Sequence, residues 1–139
     1  MSTPNVDTRV RLTRGDVLKS WLLWLFFSSS GYNYERLMAT GMAQTMTPAI
    51  RRLYHKPEDI KAALKRHLIF FNTENQWGAC IPGIMMAMEE ERANGADIDD
   101  EAINSVKIGL MGPLAGIGDT IDQGAWVPIL LALGIGIPG

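Results

Sequence analysis

Cysteine is the scarcest of the chemistry-bearing residues: Cys80 stands alone in 139 residues. That excludes an internal disulfide and a multi-cysteine zinc site, and it suits a reducing compartment or a membrane interior. Long apolar runs are also missing from the first hundred residues. Leu22 to Phe27 is apolar all round, and Trp77 to Met88 is twelve residues without a charge. Both fall well short of the roughly 20 residues a spanning helix needs. No cleavable signal peptide is expected, because residues 1–16 are polar and no small-x-small site follows the first apolar run. Basic residues are absent from Ile108 to Gly139, where Asp119 and Asp122 are the sole charges. A stretch so poor in charge is not a solvated surface.

What remains is enough for one domain. The chain has 15.3 kDa, 47% apolar and 20% charged residues and a net charge of −2, a composition that excludes disorder, collagen and a disulfide scaffold. Charge is divided unevenly. Residues 1–74 carry 11 Lys and Arg against 6 Asp and Glu, and residues 75–139 carry 2 against 9.

Helix signals punctuate the chain. Thr13 can cap a helix with Asp16 three residues later, and the segment runs through Trp21 and Trp24 to Phe27. Two tryptophans on so short a greasy stretch suit a bilayer interface or a partner protein. Gly31 ends it, and Asn33 is expected to cap a second helix from Tyr34 to about Tyr54, with a kink or break at Pro48. Pro57 opens a third, with Ile60, Ala63, Leu64, Leu68 and Phe71 at helical spacing. Six basic residues lie between Arg51 and Arg66 against Glu58 and Asp59. No nucleic-acid motif accompanies them, and the positive-inside rule places them at a cytoplasmic face. Gln76 to Arg92 is expected to be re-entrant or half-length, broken at Pro82-Gly83 and packed with methionine, with Gly95 as its C-cap. A fifth helix, Asp100 to Met111, is capped by Asp97 or Asp99. Its Lys107 either snorkels to an interface or faces a polar cavity.

The glycine-rich segment Gly112-Pro113-Leu114-Ala115-Gly116-Ile117-Gly118-Asp119 carries no Gly-Lys-Ser/Thr, so it is not a Walker loop, and Ile121 occupies the third glycine position of a dinucleotide motif. It reads as a turn built for close backbone approach, with Gly112 and Gly116 four apart. Asp119 and Asp122 follow in a region that otherwise excludes charge, which marks a functional site facing a polar cavity. Gly-x-Gly-Asp also occurs in intramembrane aspartyl proteases, whose chemistry needs a second aspartate sharing a proton. The tyrosine that precedes the other aspartate there has no counterpart, since Tyr32, Tyr34 and Tyr54 precede Asn, Glu and His. His55 and His67 have no partner at a recognisable catalytic or metal spacing and read as structural. From Gln123 the chain is uncharged for 17 residues to its end, as if a membrane helix had been cut off.

Five stretches together resemble one family: Asn-Tyr-Glu-Arg at 33–36, Pro-Ala-Ile-Arg-Arg-Leu-Tyr at 48–54, Arg-His-Leu-Ile-Phe-Phe-Asn-Thr at 66–73, and the segments 89–100 and 107–119. They are similar to the IID component of mannose/fructose/sorbose-family phosphotransferase systems. The resemblance runs from Leu12 onward and implies the N-terminal half of such a protein, a fragment or a truncated gene product, with residues 1–11 a flexible N-terminus and 12–139 the IID portion. It implies an all-α fold of membrane-associated helices, some of them re-entrant or half-length, truncated before the remaining membrane helices. By the same resemblance the chain is a non-catalytic subunit of the inner membrane, with no phosphohistidine and no cofactor. It pairs with a IIC subunit to carry a hexose, while IIA and IIB phosphoryl carriers supply phosphate; membrane lipid is a further partner and nucleic acid is not. Asn72, Glu89, Lys107 and Asp119 are the candidate sugar contacts, polar residues inside the matching motifs or bordering apolar runs. An intramembrane hydrolase using Asp119 and Asp122, or a soluble helical adaptor using the basic helices, are the alternatives.

Overall fold

The computed structural model describes residues 9–136, and among them no β-strand occurs: Asn33 with Leu37 and Leu37 with Phe71 form isolated bridges. The expectation of an all-α chain holds. Helix α1 spans Arg14–Phe27 and starts as its capping signal predicts. The Thr13 hydroxyl accepts from the Asp16 amide at 3.2 Å, and the Asp16 carboxylate accepts from the Thr13 amide at 3.0 Å. Of the stretch 1–11, expected to be flexible, residues 1–8 lie outside the described residues. Val10 is tied down, donating to Asn94 Oδ1 and accepting from Asn94 Nδ2, each at 2.9 Å.

The second helix, α2, is Ala39–Leu53 and begins later than Tyr34. Asn33 spends its side chain on a turn instead: its Oδ1 accepts from the Arg36 amide at 2.8 Å, and its backbone carbonyl accepts from the Leu37 amide at 2.9 Å. Leu37 takes a left-handed φ of 50°, strained for a branched side chain, and is held there between Asn33 and Phe71. The chain then enters α2 with the Met38 amide bonded to the Phe71 carbonyl at 2.8 Å. Long-range pairing has overruled a local cap. α2 runs through Pro48 without a break.

α1 and α2 form an antiparallel pair. Gly41 meets Ser28 at one end, where an added Cβ would fall 2.1 Å from the Ser28 carbonyl oxygen. Pro48 lies against the Lys19–Phe27 stretch farther along. One face of α2 is the spine of the core, with Met42, Met46, Ala49 and Ile50 fully buried. Met38, Met85 and Met86 join it, so the methionines are packing filler as expected.

Helix α3, Pro57–His67, places Pro57 in its first turn and Lys65, Arg66 and His67 in its last, complementing the dipole at both ends with Glu58 and Asp59. It stops before Phe71, which instead packs edge-to-face on Trp24 with ring centroids 6.1 Å apart. A 3₁₀ turn at Trp77–Ala79 leads into α4, Cys80–Ala93. The break expected at Pro82-Gly83 is absent. Pro82 lies in the first turn of α4, where its missing amide hydrogen breaks no helical bond. α4 ends on Gly95 at φ 95°, with the Gly95 amide on the Arg92 carbonyl and the Ala96 amide on the Glu91 carbonyl, a Schellman closure.

Asp99 caps α5, accepting from the Ala102 amide at 2.7 Å. α5 spans Asp100–Ile121 rather than stopping at Met111, so the glycine-rich segment is helical and Gly112, Gly116 and Gly118 are not a turn. Glycine and proline tax a helix by roughly 1 and 3 kcal/mol. The side chains here offer the backbone few hydrogen-bonding partners, so it satisfies its own groups best as a helix. A π-helical turn, Asp122–Trp126, joins α5 to α6, Val127–Gly136, without a break. Every described residue of α6 is exposed. No helix among the described residues is long and apolar enough to cross a membrane.

Candidate functional site

The four candidate residues fall into two assemblies. Asn72 and Asp119 border an open polar cavity of about 310 Å³, lined by the turn after α1 (Ser29, Tyr32), the 72–75 segment, one face of α5 (Ala115, Asp119) and Gln123 of the π turn. Asn72 Oδ1 accepts from the Tyr32 hydroxyl at 3.0 Å, which fixes the amide on that wall. The same segment is pinned to α5, since the Thr73 hydroxyl donates to the Met111 carbonyl at 3.4 Å and the Asn72 amide to Met111 Sδ at 3.0 Å.

Glu74 completes the wall. Its Oε2 accepts from the amides of Gln76 and Trp77, both at 2.8 Å, and so caps the 3₁₀ turn. This arrangement requires Gly118, because a Cβ there would fall 2.6 Å from Glu74 Cγ. Gly112 and Gly116 meet nothing within 4 Å, so the close contact expected of that pair does not occur among the described residues. Asn75 ties the wall to α1, its carbonyl accepting from Trp24 Nε1 at 2.8 Å and its Nδ2 donating to Ser29 Oγ at 3.1 Å. The lining offers carboxylates, amides and hydroxyls and no lysine or arginine. Such a set suits a neutral, hydroxyl-rich ligand and disfavours an anion.

Glu89 and Lys107 lie elsewhere, in a buried charge cluster where α2, α3, α4 and α5 meet. Glu89, on α4, is fully buried; its Oε2 accepts from the Tyr54 hydroxyl at 2.7 Å and its Oε1 lies 2.9 Å from His67 Nε2. Arg66 Nε stands 3.5 Å from the same oxygen and Arg66 Nη1 3.3 Å from Asp100 Oδ1, neither aligned as a hydrogen bond, so its contribution is Coulombic. Arg92 closes on Asp100 at 2.6 Å. Lys107, also fully buried, donates to the Arg66 carbonyl at 3.3 Å. It neither snorkels outward nor borders the polar cavity, as the sequence had allowed.

The protonation states follow from this packing. Burial pushes the His67 imidazole below its ordinary value against the pull of Glu89, so a neutral ring donates through Nε2 and leaves Nδ1 without a partner. Burial acts to raise the Glu89 carboxyl, but the bonds from His67 and Tyr54 and the charge of Arg66 outweigh it and hold the group low. Lys107 is pushed down to about 8 by burial and by Arg66. The cluster therefore joins four helices and presents no open site. Asp119 and Asp122 border different cavities, Asp122 standing with Gln76 and Trp126. No hydrogen bond joins their two carboxylates among the described residues, so they do not form the proton-sharing pair of an aspartyl dyad in this structure.

Sequence reading missed Tyr54, Arg66 and His67 in the cluster, and Tyr32, Glu74 and Asn75 in the cavity. Tyr54, Arg66 and His67 lie inside two of the family-like stretches, 48–54 and 66–73, and that was the available signal.

Comparison with known proteins supplies the context. The family described as "PTS system mannose/fructose/sorbose family IID component" matches residues 11–138. The chain is 48% identical over 138 residues to the PTS system mannose-specific EIID component of Escherichia coli K12, covering 99% of this chain and 48% of that protein. It is 49% identical over 126 residues to the sorbose-specific EIID component of Lacticaseibacillus casei, covering 91% and 44%. A cryo-EM structure of the mannose transporter ManYZ in complex with microcin E492 superposes with a TM-score of 0.85 at 50% identity, over 91% of this chain and 46% of the matched one. The chain thus spans about half the length of the curated relatives it matches.

Proposed function

Because the chain belongs to the mannose/fructose/sorbose family of phosphotransferase IID components, we propose that it forms part of a membrane subunit that pairs with a IIC subunit to carry a hexose, with IIB phosphorylating the arriving sugar and IIA recharging IIB. The observation that carries this reading is the likeness to the solved mannose transporter, a TM-score of 0.85 at 50% identity. The cation-free polar cavity supports it, because an unphosphorylated sugar is neutral and rich in hydroxyls. Asn72 and Asp119 take sugar hydroxyls in this reading. Glu89 and Lys107 hold α3, α4 and α5 in register behind them. The exposed apolar side chains of α1, α5 and α6 face lipid or the partner subunit, and the basic stretch from Arg51 to Arg66 faces the cytoplasm.

The test fuses this chain in frame to the remainder of the Escherichia coli mannose-specific relative and co-expresses the fusion with that relative's IIC partner, in cells lacking their own permease. Phosphoenolpyruvate-dependent hexose uptake is the expected result. Asp119→Asn in the fusion removes charge-assisted hydrogen bonds of about 1.5–3 kcal/mol each, which weakens sugar affinity by roughly 10- to 100-fold while assembly survives. A fusion that inserts and assembles but carries no sugar defeats the reading.

A further inference from the structure

The α1–α2 pair carries a groove that the sugar path does not use. It is lined by Lys19, Leu22, Leu23, Phe26, Phe27 and Pro48 and has a volume of about 400 Å³. Apart from the ammonium group of Lys19, the lining is hydrocarbon. Leu22, Phe26 and Phe27 are 40%, 71% and 43% exposed, so this surface is open.

The groove is polarised along its length. Lys19 stands at one end of the lining, and Arg52 follows the lining residue Pro48 by four residues, one turn on along the same side of α2; both cations act on the carboxylate of Asp16. Asp16 is itself engaged by the amide and hydroxyl of Thr13, at 3.0 and 2.7 Å. Arg51 extends the basic end toward Lys61 and Lys65 across the neighbouring groove on α3. From Lys19 to Phe27 the helix advances eight residues, about 12 Å at 1.5 Å per residue. One leaflet of bilayer hydrocarbon is about 15 Å deep.

An apolar trough about one leaflet deep, with cations at a single end, fits a particular ligand geometry. We infer that the α1–α2 groove is a binding site for an anionic phospholipid, its acyl chain lying along Leu22, Leu23 and Phe26 and its phosphate meeting Lys19 and Arg52. The match of trough depth to one leaflet, with the cations at a single end, is what selects a lipid over a second protein segment. The site rests on the membrane location proposed above, and it would place the basic end of the pair among lipid headgroups.

The experiment reconstitutes the full chain into phosphatidylcholine vesicles containing a phosphatidylglycerol with a diazirine in its acyl chain, then maps the photolabel by mass spectrometry. Label is expected on residues 22–27 and around Pro48, displaced by unlabelled phosphatidylglycerol and not by added phosphatidylcholine. Lys19→Gln with Arg52→Gln should lower it about 25-fold, roughly five-fold for each cation lost near the surface. Leu23→Trp, which fills the groove and leaves every charge in place, should lower it as well. Label spread evenly over α5 and α6, or unchanged in both variants, overturns the lipid site while leaving the membrane location intact. A chain that does not associate with the vesicles overturns both.

Discussion

Replacing Glu89 by glutamine tests whether the buried cluster is held together by charge. The substitution keeps shape and volume, and the hydroxyl of Tyr54 can rotate to accept from the new amide. What disappears is the carboxylate facing Arg66 Nε at 3.5 Å and His67 Nε2 at 2.9 Å, in a side chain with no exposed surface. Arg66 is left with the half-exposed Asp100 alone, and the buried ammonium of Lys107 loses the counter-charge that helps to offset its burial. Removing one partner of a buried ionic group costs about 3–5 kcal/mol, a large fraction of the 5–15 kcal/mol that stabilises an ordinary domain. The Glu89 carboxyl is held below its ordinary value near 4.5. Its contribution is therefore complete above that value and is lost as pH falls through the lower folded-state one. Urea unfolding in detergent micelles, followed by circular dichroism, should show the full deficit at pH 7, and the gap between the two proteins should shrink in acid. A variant within about 1 kcal/mol of the parent at pH 7, or a gap that does not narrow in acid, would refute the assignment of charge as the binding force.

Three further outcomes follow from the same geometry. Lys107 titrates near 8 in the folded protein and near 10.5 when unfolded, so stability should rise as pH climbs between those values; Lys107→Met should abolish that rise, measured by unfolding at pH 7 and above. Gly118→Ala should destabilise by about 1–3 kcal/mol through its clash with Glu74, whereas Gly116→Ala, open in this chain, should stabilise α5 by up to about 1 kcal/mol; equal effects in thermal unfolding would contradict the packing at Gly118. Cysteine at Lys61, in a Cys80→Ser background of the IIC–IID complex, should react with an impermeant thiol reagent from the cytoplasmic side, and labelling from the opposite side would reverse the proposed orientation.

Local signals were legible where the answer is local. Thr13 with Asp16, Pro57 and Gly95 each settle a helix end within five residues and stand where the sequence places them, and Asp99 is the one of two offered caps, Asp97 or Asp99, that α5 uses. The turn at 34–38 was not legible, because Leu37 owes its conformation to Phe71, 34 positions later. Continuation of α5 past Met111 escaped notice for a related reason: residue propensities argue for a stop, and the backbone's need for internal partners overrides them. The candidate residues show the same division. Each was selected for polarity beside an apolar run, a criterion that cannot separate a side chain lining a cavity, such as Asp119, from one sealed between helices, such as Glu89. The bond from His67 to Glu89 spans 22 residues and three elements, and no periodicity encodes it.

The convergence of four helices on Glu89 also sets an order in time. Tyr54, Arg66 and His67 leave the ribosome before Glu89, and Lys107 follows 18 residues after it. At 5–20 residues per second that last interval is about 1–4 s. During it the hydroxyl, imidazole and guanidinium partners of the carboxylate are already present in the chain, while the part of α5 that carries Lys107 has yet to be made. The ammonium of Lys107 then closes an assembly whose other members are waiting. Until α5 has been made and docks, the wall of the cavity that carries Asp119 is absent.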